Sequence, residues 1–142
     1  MDFETSIDVA RAPEEVFAFL DDLRNTPTWN ARCVRIEQTS PGERAVGAEL
    51  HYVYREGRRE GEMRGVVTTY ERDRALVMTF TDRVLEVVVG FRLEPRGTGT
   101  HVVHQVTITP RTLAMRLMSP LIRVASRRQV ADETARLGHA LA

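Results

Sequence analysis

Ile7-Asp8-Val9-Ala10-Arg11-Ala12-Pro13-Glu14-Glu15-Val16-Phe17-Ala18-Phe19-Leu20 changes periodicity partway along. Through its first residues and those just before, Phe3, Thr5, Ile7 and Val9 alternate with Glu4, Ser6, Asp8 and Ala10. A period of two with one apolar face is a half-buried strand. Pro13 suits the first position of a helix, where no backbone N–H is needed. Glu14 and Glu15 fall in the first turn, where the helix dipole favours negative charge. Val16, Leu20 and Leu23 recur at i, i+4 and i+7 with Phe17 beside them, which predicts a short amphipathic helix ending near Asn25. Pro27 breaks that helix and starts at most one further turn.

From residue 32 the pattern is strand after strand. Val34 and Ile36 alternate with charged neighbours, and Pro41-Gly42-Glu43 is a turn. Leu50, Tyr52 and Tyr54 alternate with His51, Val53 and Arg55, and Glu56-Gly57-Arg58 reads as a hairpin turn. Residues 60–70 form a longer strand whose facing stays open, because Val66 and Val67 are adjacent. Leu76, Met78 and Phe80 mark the next strand, then Leu85, Val87, Val89, Phe91 and Leu93, then Val102, His104, Val106 and Ile108. Beyond these the period becomes helical: Leu113, Leu117, Leu121 and Val124, with Val130, Leu137 and Leu141 further on. Pro120 interrupts this run, with Ser119 placed to cap a new segment. The expected fold is α+β: a curved antiparallel sheet of about seven strands wrapped around a long C-terminal helix, with one or two short helices after the first strand. A strongly twisted sheet closes imperfectly on a helix, so a cavity between them is expected.

The 142 residues read as a single domain, 1–142. Twenty acidic residues balance twenty basic ones, and no basic block stands out, so no nucleic-acid partner is expected. Every cation is arginine; the absence of lysine removes Schiff-base chemistry. One cysteine, Cys33, excludes an internal disulfide framework and a thiolate-rich metal site. It alternates away from Val34 and Ile36 and lacks a local His or Asp, so it is not read as a nucleophile. There is no phosphate-cradling loop, nucleophile elbow or dinucleotide fingerprint, and no cofactor is expected. The N-terminus has no leader pattern and no apolar run approaches transmembrane length, so the expected location is cytoplasmic.

Taken with this element order, three stretches resemble the START-like superfamily, also called the Bet v 1-like or polyketide cyclase/dehydrase group. They are the Ala12-Pro13-x-x-Val16-Phe17 opening, the Pro27-x-Trp29 turn, and Gly97-Thr98-Gly99-Thr100 before the last strand and long helix. The resemblance spans essentially the whole chain. It implies the helix-grip fold and an internal cavity for a hydrophobic molecule such as a lipid, quinone or polyketide. It implies a reaction much less strongly, since the group also holds aromatases, cyclases and chaperone activators.

His104 interrupts an inward apolar face and is the candidate acid–base residue, the alternative being a buried, satisfied histidine. His101 lies three positions away on the same strand and faces the other side, so the pair does not chelate a metal; no metal site is expected. Tyr52 and Tyr54 are either polar handles for a ligand or sheet-edge tyrosines with wet hydroxyls. Trp29 either walls the cavity mouth or pins its loop to the core. Met78, Phe80 and Phe91 face inward, as core or lining. Leu117, Met118 and Leu121 of the last helix are expected to line the cavity from the other side. Adjacent Glu14-Glu15 and Asp21-Asp22 diverge on a helix and read as solvated. The preferred reading is a binding protein for a hydrophobic small molecule, monomeric or homodimeric. A cyclase or aromatase using His104 with Tyr52 or Tyr54 is the alternative, and a protein-interaction module is the third.

Overall fold

The computed structural model describes residues 1–142. Strand β1 (Asp2–Val9) leads into helix α1 (Pro13–Asp21), a 3-10 turn (Leu23–Asn25) and one turn of helix, α2 (Thr26–Trp29). Six strands follow: β2 (Cys33–Gln38), β3 (Glu49–Glu56), β4 (Arg59–Glu71), β5 (Ala75–Thr81), β6 (Leu85–Arg96) and β7 (Gly99–Pro110). Helices α3 (Leu113–Leu117) and α4 (Ser119–Ala140) complete the chain. All neighbouring strands are antiparallel, in the order β1-β7-β6-β5-β4-β3-β2. The fold is therefore the expected curved sheet against a long C-terminal helix. Pro13 starts α1 with Glu14 and Glu15 in its first turn.

Two bulges change which residues reach the inner face. One, between Cys33 and Arg35, turns both Cys33 and Ile36 inward and leaves Val34 exposed. This corrects the expectation that Cys33 points away from Ile36: strict alternation fails where one extra residue enters a strand. The other, between Val67 and Thr69, resolves the open facing of β4: Met63 and Val67 point inward before it and Tyr70 after it.

The turn at Gly97-Thr98-Gly99-Thr100 has a steric explanation. Gly97 sits at φ +59°, and a Cβ on Gly99 would collide with the carbonyl oxygen of Val9. Thr100 Oγ1 then donates to the carbonyl of Arg11 at 2.7 Å, fastening the entry of α1 to the sheet.

The C-terminal run breaks at Met118. Pro120 has no N–H to continue α3, and it sits in the first turn of α4, where none is required. Ser119 provides no cap; Met118 occupies the capping position without a side-chain bond. Thr112 does cap α3, accepting from the Met115 N–H at 3.2 Å.

The face that α4 turns to the sheet carries Ser126, Val130, Glu133, Thr134 and Leu137. The more apolar stripe of Leu113, Leu117, Leu121 and Val124 faces out. Thr134 and Glu133 are tolerated there because they find partners. Thr134 Oγ1 donates to the carbonyl of Val130 (2.9 Å) and bonds the Thr5 hydroxyl, and Gln129 Nε2 donates to Glu133 Oε1 (2.9 Å). None of the helices is long and apolar enough to cross a membrane.

Candidate ligand cavity

Along the inner face of β6, Phe91 and Leu93 are buried but Leu85, Val87 and Val89 are only half-buried. The same alternation thus runs from packed core into open space. That space is a cavity of about 400 Å³ between the sheet and the C-terminal helices. It is bordered by two apolar clusters, one around Trp29, Met78 and Phe80 and a smaller one around Val106, Ile108 and Val130.

Each wall follows from local sequence. Met78 and Phe80 come from β5, Val106 and Ile108 from β7, and Met115, Met118 and Ile122 from the helices. Tyr52 and Tyr54 come from β3, stacked with centroids 5.7 Å apart, and Tyr52 also lies 5.4 Å from Phe80. These rings lie close over β4 because it carries glycine beneath them. A Cβ on Gly61 would stand 2.5 Å from the Tyr54 ring, and one on Gly65 would stand 2.5 Å from Phe80. Glu56, Asp82 and Met118 line the space at the sheet end where the β3–β4 turn, the β5–β6 turn and the β7–α3 connection gather. Glu56 and Met118 are exposed, so the cavity opens at that end. Trp29 is at the inner end: it is buried, edge-on to Phe91 at 5.4 Å and to His104 at 5.9 Å, so it both pins α2 and forms cavity wall.

The lining is mostly apolar, with one polar cluster of Asn30, Arg32, Tyr52, Ser126, Gln129 and Glu133. Asn30 Nδ2 donates to the Tyr52 hydroxyl at 3.3 Å. Arg32 reaches Glu56 at 2.5 Å. Glu133 is buried, and Gln129 is its side-chain partner. Burial pushes its carboxyl up to about 7, against the smaller opposing pull of the Gln129 bond and Arg32. Burial also raises the Tyr52 hydroxyl, which stays a neutral donor and acceptor. A carboxyl that changes charge near neutral pH, facing an apolar space, can donate to a ligand carbonyl, accept from a hydroxyl, or move a proton.

His104 has a different place from the one expected of an acid–base residue. It is fully buried and lies outside the cavity lining, stacked on Phe91 with centroids 4.6 Å apart. Its Nδ1 lies 3.0 Å from Thr134 Oγ1. Thr134 spends its single proton on the carbonyl of Val130, so His104 Nδ1 carries the hydrogen and donates. Nε2 is left without a partner, and burial lowers the imidazole to about 4. The ring is packed in the core, bonded to a neighbouring hydroxyl through Nδ1 but left unsatisfied at Nε2.

Leu117 and Leu121 also differ from expectation. Both face outward: Leu121 lies on the side of α4 opposite the buried Val130 and Leu137, and Leu117 ends α3, before the break at Met118. Of the three helix residues named for the wall, Met118 alone is there. Phe91 is core beneath Trp29 and is not lining. Cys33 is buried and its thiol is pushed up to about 11 by desolvation. His101 bonds Asp8 at 2.8 Å and His51 bonds Glu62 at 2.8 Å, carboxylates supplied by neighbouring strands. No three His, Cys, Asp or Glu side chains converge as metal ligands would.

Glu133, Gln129, Asn30 and Arg32 were missed from sequence. A signal for Glu133 existed: it lies three residues after buried Val130 and four before buried Leu137, on one helical face.

A model of the family described as polyketide cyclase / dehydrase and lipid transport matches residues 1–141. Among solved structures, a START superfamily protein from Mycobacterium smegmatis superposes with a TM-score of 0.81 at 12% identity, covering 99% of this chain and 96% of that one. A Thermus thermophilus protein gives a TM-score of 0.80 at 12% identity, with 99% and 97% covered. The Zhui aromatase/cyclase from Streptomyces sp. R1128 gives 0.77 at 15% identity, with 99% and 93% covered. No curated protein matches the sequence.

Proposed function

The chain belongs to the polyketide cyclase / dehydrase and lipid transport family, and on that premise we propose that it binds an apolar small molecule carrying at least one hydroxyl or carbonyl oxygen. Lipid, quinone and polyketide-like molecules all have this character. The observation that carries the reading is the position of Glu133. A largely apolar space of about 400 Å³ has a buried carboxyl in its wall, with Gln129, Asn30 and Tyr52 in the same lining. The volume suits a small organic ligand. Apolar walls provide the burial, and the polar cluster orients the oxygen.

Native mass spectrometry of the purified protein, followed by denaturing extraction, tests this directly. A co-purifying molecule with an oxygen function and a largely apolar body is the expected result. Affinity for that molecule should fall about tenfold in Tyr52→Phe or Glu133→Gln, the worth of one buried hydrogen bond. The reading fails if neither the extracted molecule nor an apolar dye such as anilinonaphthalene sulfonate competes for the cavity.

A second reading, a cyclase or aromatase acting on a poly-β-ketone, is favoured by the same residue. With His104 sealed away, the proton transfer passes to Glu133, poised near neutrality, with Tyr52 as hydrogen-bond donor. Turnover that disappears in Glu133→Gln while substrate still binds would support catalysis over carriage.

A further inference from the structure

Between Glu94 and Asp132 the chain has no acidic residue, although acids and bases balance overall. Within that interval Arg111, Arg116, Arg123, Arg127 and Arg128 lie on α3, α4 and the residue leading into them. The ion pairs of the fold use Arg11, Arg24, Arg32, Arg44, Arg55, Arg92, Arg96 and Arg136, and none of these five. All five are exposed.

The same segment holds the most exposed leucines of the molecule. Leu113 is 72% exposed, Leu117 76% and Leu121 70%, with Val124 beside them at 58%. In α4, Leu121, Val124 and Arg128 fall at i, i+3 and i+7, so apolar and cationic side chains share one outward face. The stripe adjoins the cavity mouth through Met118, which is half-exposed and also part of the lining. A water-facing helix has no reason to keep branched apolar residues at these positions, and arginines without an ion-pair partner favour an anionic neighbour.

We propose that α3 and the first half of α4 dock on an anionic lipid bilayer, with Leu113, Leu117, Leu121 and Val124 inserted among the headgroups and the arginines against lipid phosphates. A lipid surface satisfies both features together: it buries apolar side chains along a plane and attracts the cations beside them. A folded acidic partner would account for the arginines but leaves the exposed leucines of α3 and α4 needing a groove of their own. Docking in this orientation sets the cavity mouth against the bilayer. The docking itself does not depend on what the cavity holds.

The test is co-sedimentation of the full chain with vesicles of phosphatidylcholine alone, and of phosphatidylcholine and phosphatidylglycerol in equal parts. The protein should partition to the mixed vesicles and not to the neutral ones, and added salt should release it. Arg123→Gln with Arg127→Gln should weaken partitioning about fivefold per arginine. Leu117→Gln with Leu121→Gln should weaken it about tenfold per leucine. These exposed sites leave folding intact, which an unchanged thermal transition checks. Arg72→Gln with Arg74→Gln, at the β4–β5 turn, should change nothing. Equal partitioning to both vesicles, or to neither, overturns the proposal. So does a dimer in sedimentation velocity that Leu117→Gln with Leu121→Gln turns into monomer, because the stripe would then be covered by a second copy.

Discussion

Replacing Glu133 by glutamine should make the protein more stable at about pH 8, by an amount that can be worked out from the site. Burial moves the carboxyl from 4.5 to about 7. A tenfold change in proton affinity is worth about 1.4 kcal/mol, so that interval amounts to about 3 kcal/mol. The sign follows from where the proton sits. Below 4.5 the carboxyl is protonated folded and unfolded, and it costs nothing. As pH rises from 4.5 through 7 the unfolded chain ionises first, and the native state loses about 3 kcal/mol of stability. Glutamine keeps the shape and the bond to Gln129 without ever ionising. His104 runs the opposite way in nearly the same window. Its folded value of about 4 lies below the ordinary 6.5, so acidification through that range destabilises the native state by about 3 kcal/mol. The two slopes nearly cancel in the wild type, whose stability should be flat between about pH 4.5 and 6.5. Urea titrations from about pH 4 to 8, followed by the fluorescence of Trp29, the single tryptophan, would measure both proteins. Glu133→Gln should gain about 3 kcal/mol at the alkaline end and then lose a similar amount on acidification, as the histidine slope is unmasked. A variant no more stable than wild type at about pH 8 would refute the argument: Glu133 would then be hydrated through the cavity and not desolvated.

Three further outcomes can be checked with the same protein. Thr134→Val leaves the buried His104 Nδ1–H without its acceptor and should cost about 2 kcal/mol or more in urea unfolding. Gly65→Ala places a methyl 2.5 Å from Phe80, so Phe80 must swing into the cavity; stability should drop by about 1–3 kcal/mol and dye binding should weaken. Cys33, buried with its thiol at about 11, should resist maleimide labelling at neutral pH and react only after unfolding.

Much of the fold is legible in the chain because strands and helices read their own neighbours. The inward sets Leu76, Met78, Phe80 and Val102, His104, Val106, Ile108 follow from alternation alone. The helix break at Pro120 needs only a missing N–H. Alternation says which way a side chain points, however, and not what stands opposite. His104 and Phe80 both point inward, yet one is sealed under Trp29 and the other faces open space. The two β-bulges are invisible for a related reason. Nothing in Cys33-Val34-Arg35 marks the extra residue; the partner strand imposes it.

The sequence by itself determined the order of elements, the antiparallel sheet, the start of α1 and the presence of a long C-terminal helix, all governed by contacts close in the chain. Only the tertiary structure decided how α4 is rotated about its axis. Burial of apolar area alone would favour turning Leu121 and Val124 toward the sheet. The observed rotation buries Val130 and Leu137 and satisfies Thr134 and Glu133 with partners from β1, β7 and α4 itself. That choice places a carboxyl in the cavity and a leucine–arginine stripe on the surface. It depends on hydrogen bonds such as that between Thr5 and Thr134, at opposite ends of the chain, which no local pattern encodes.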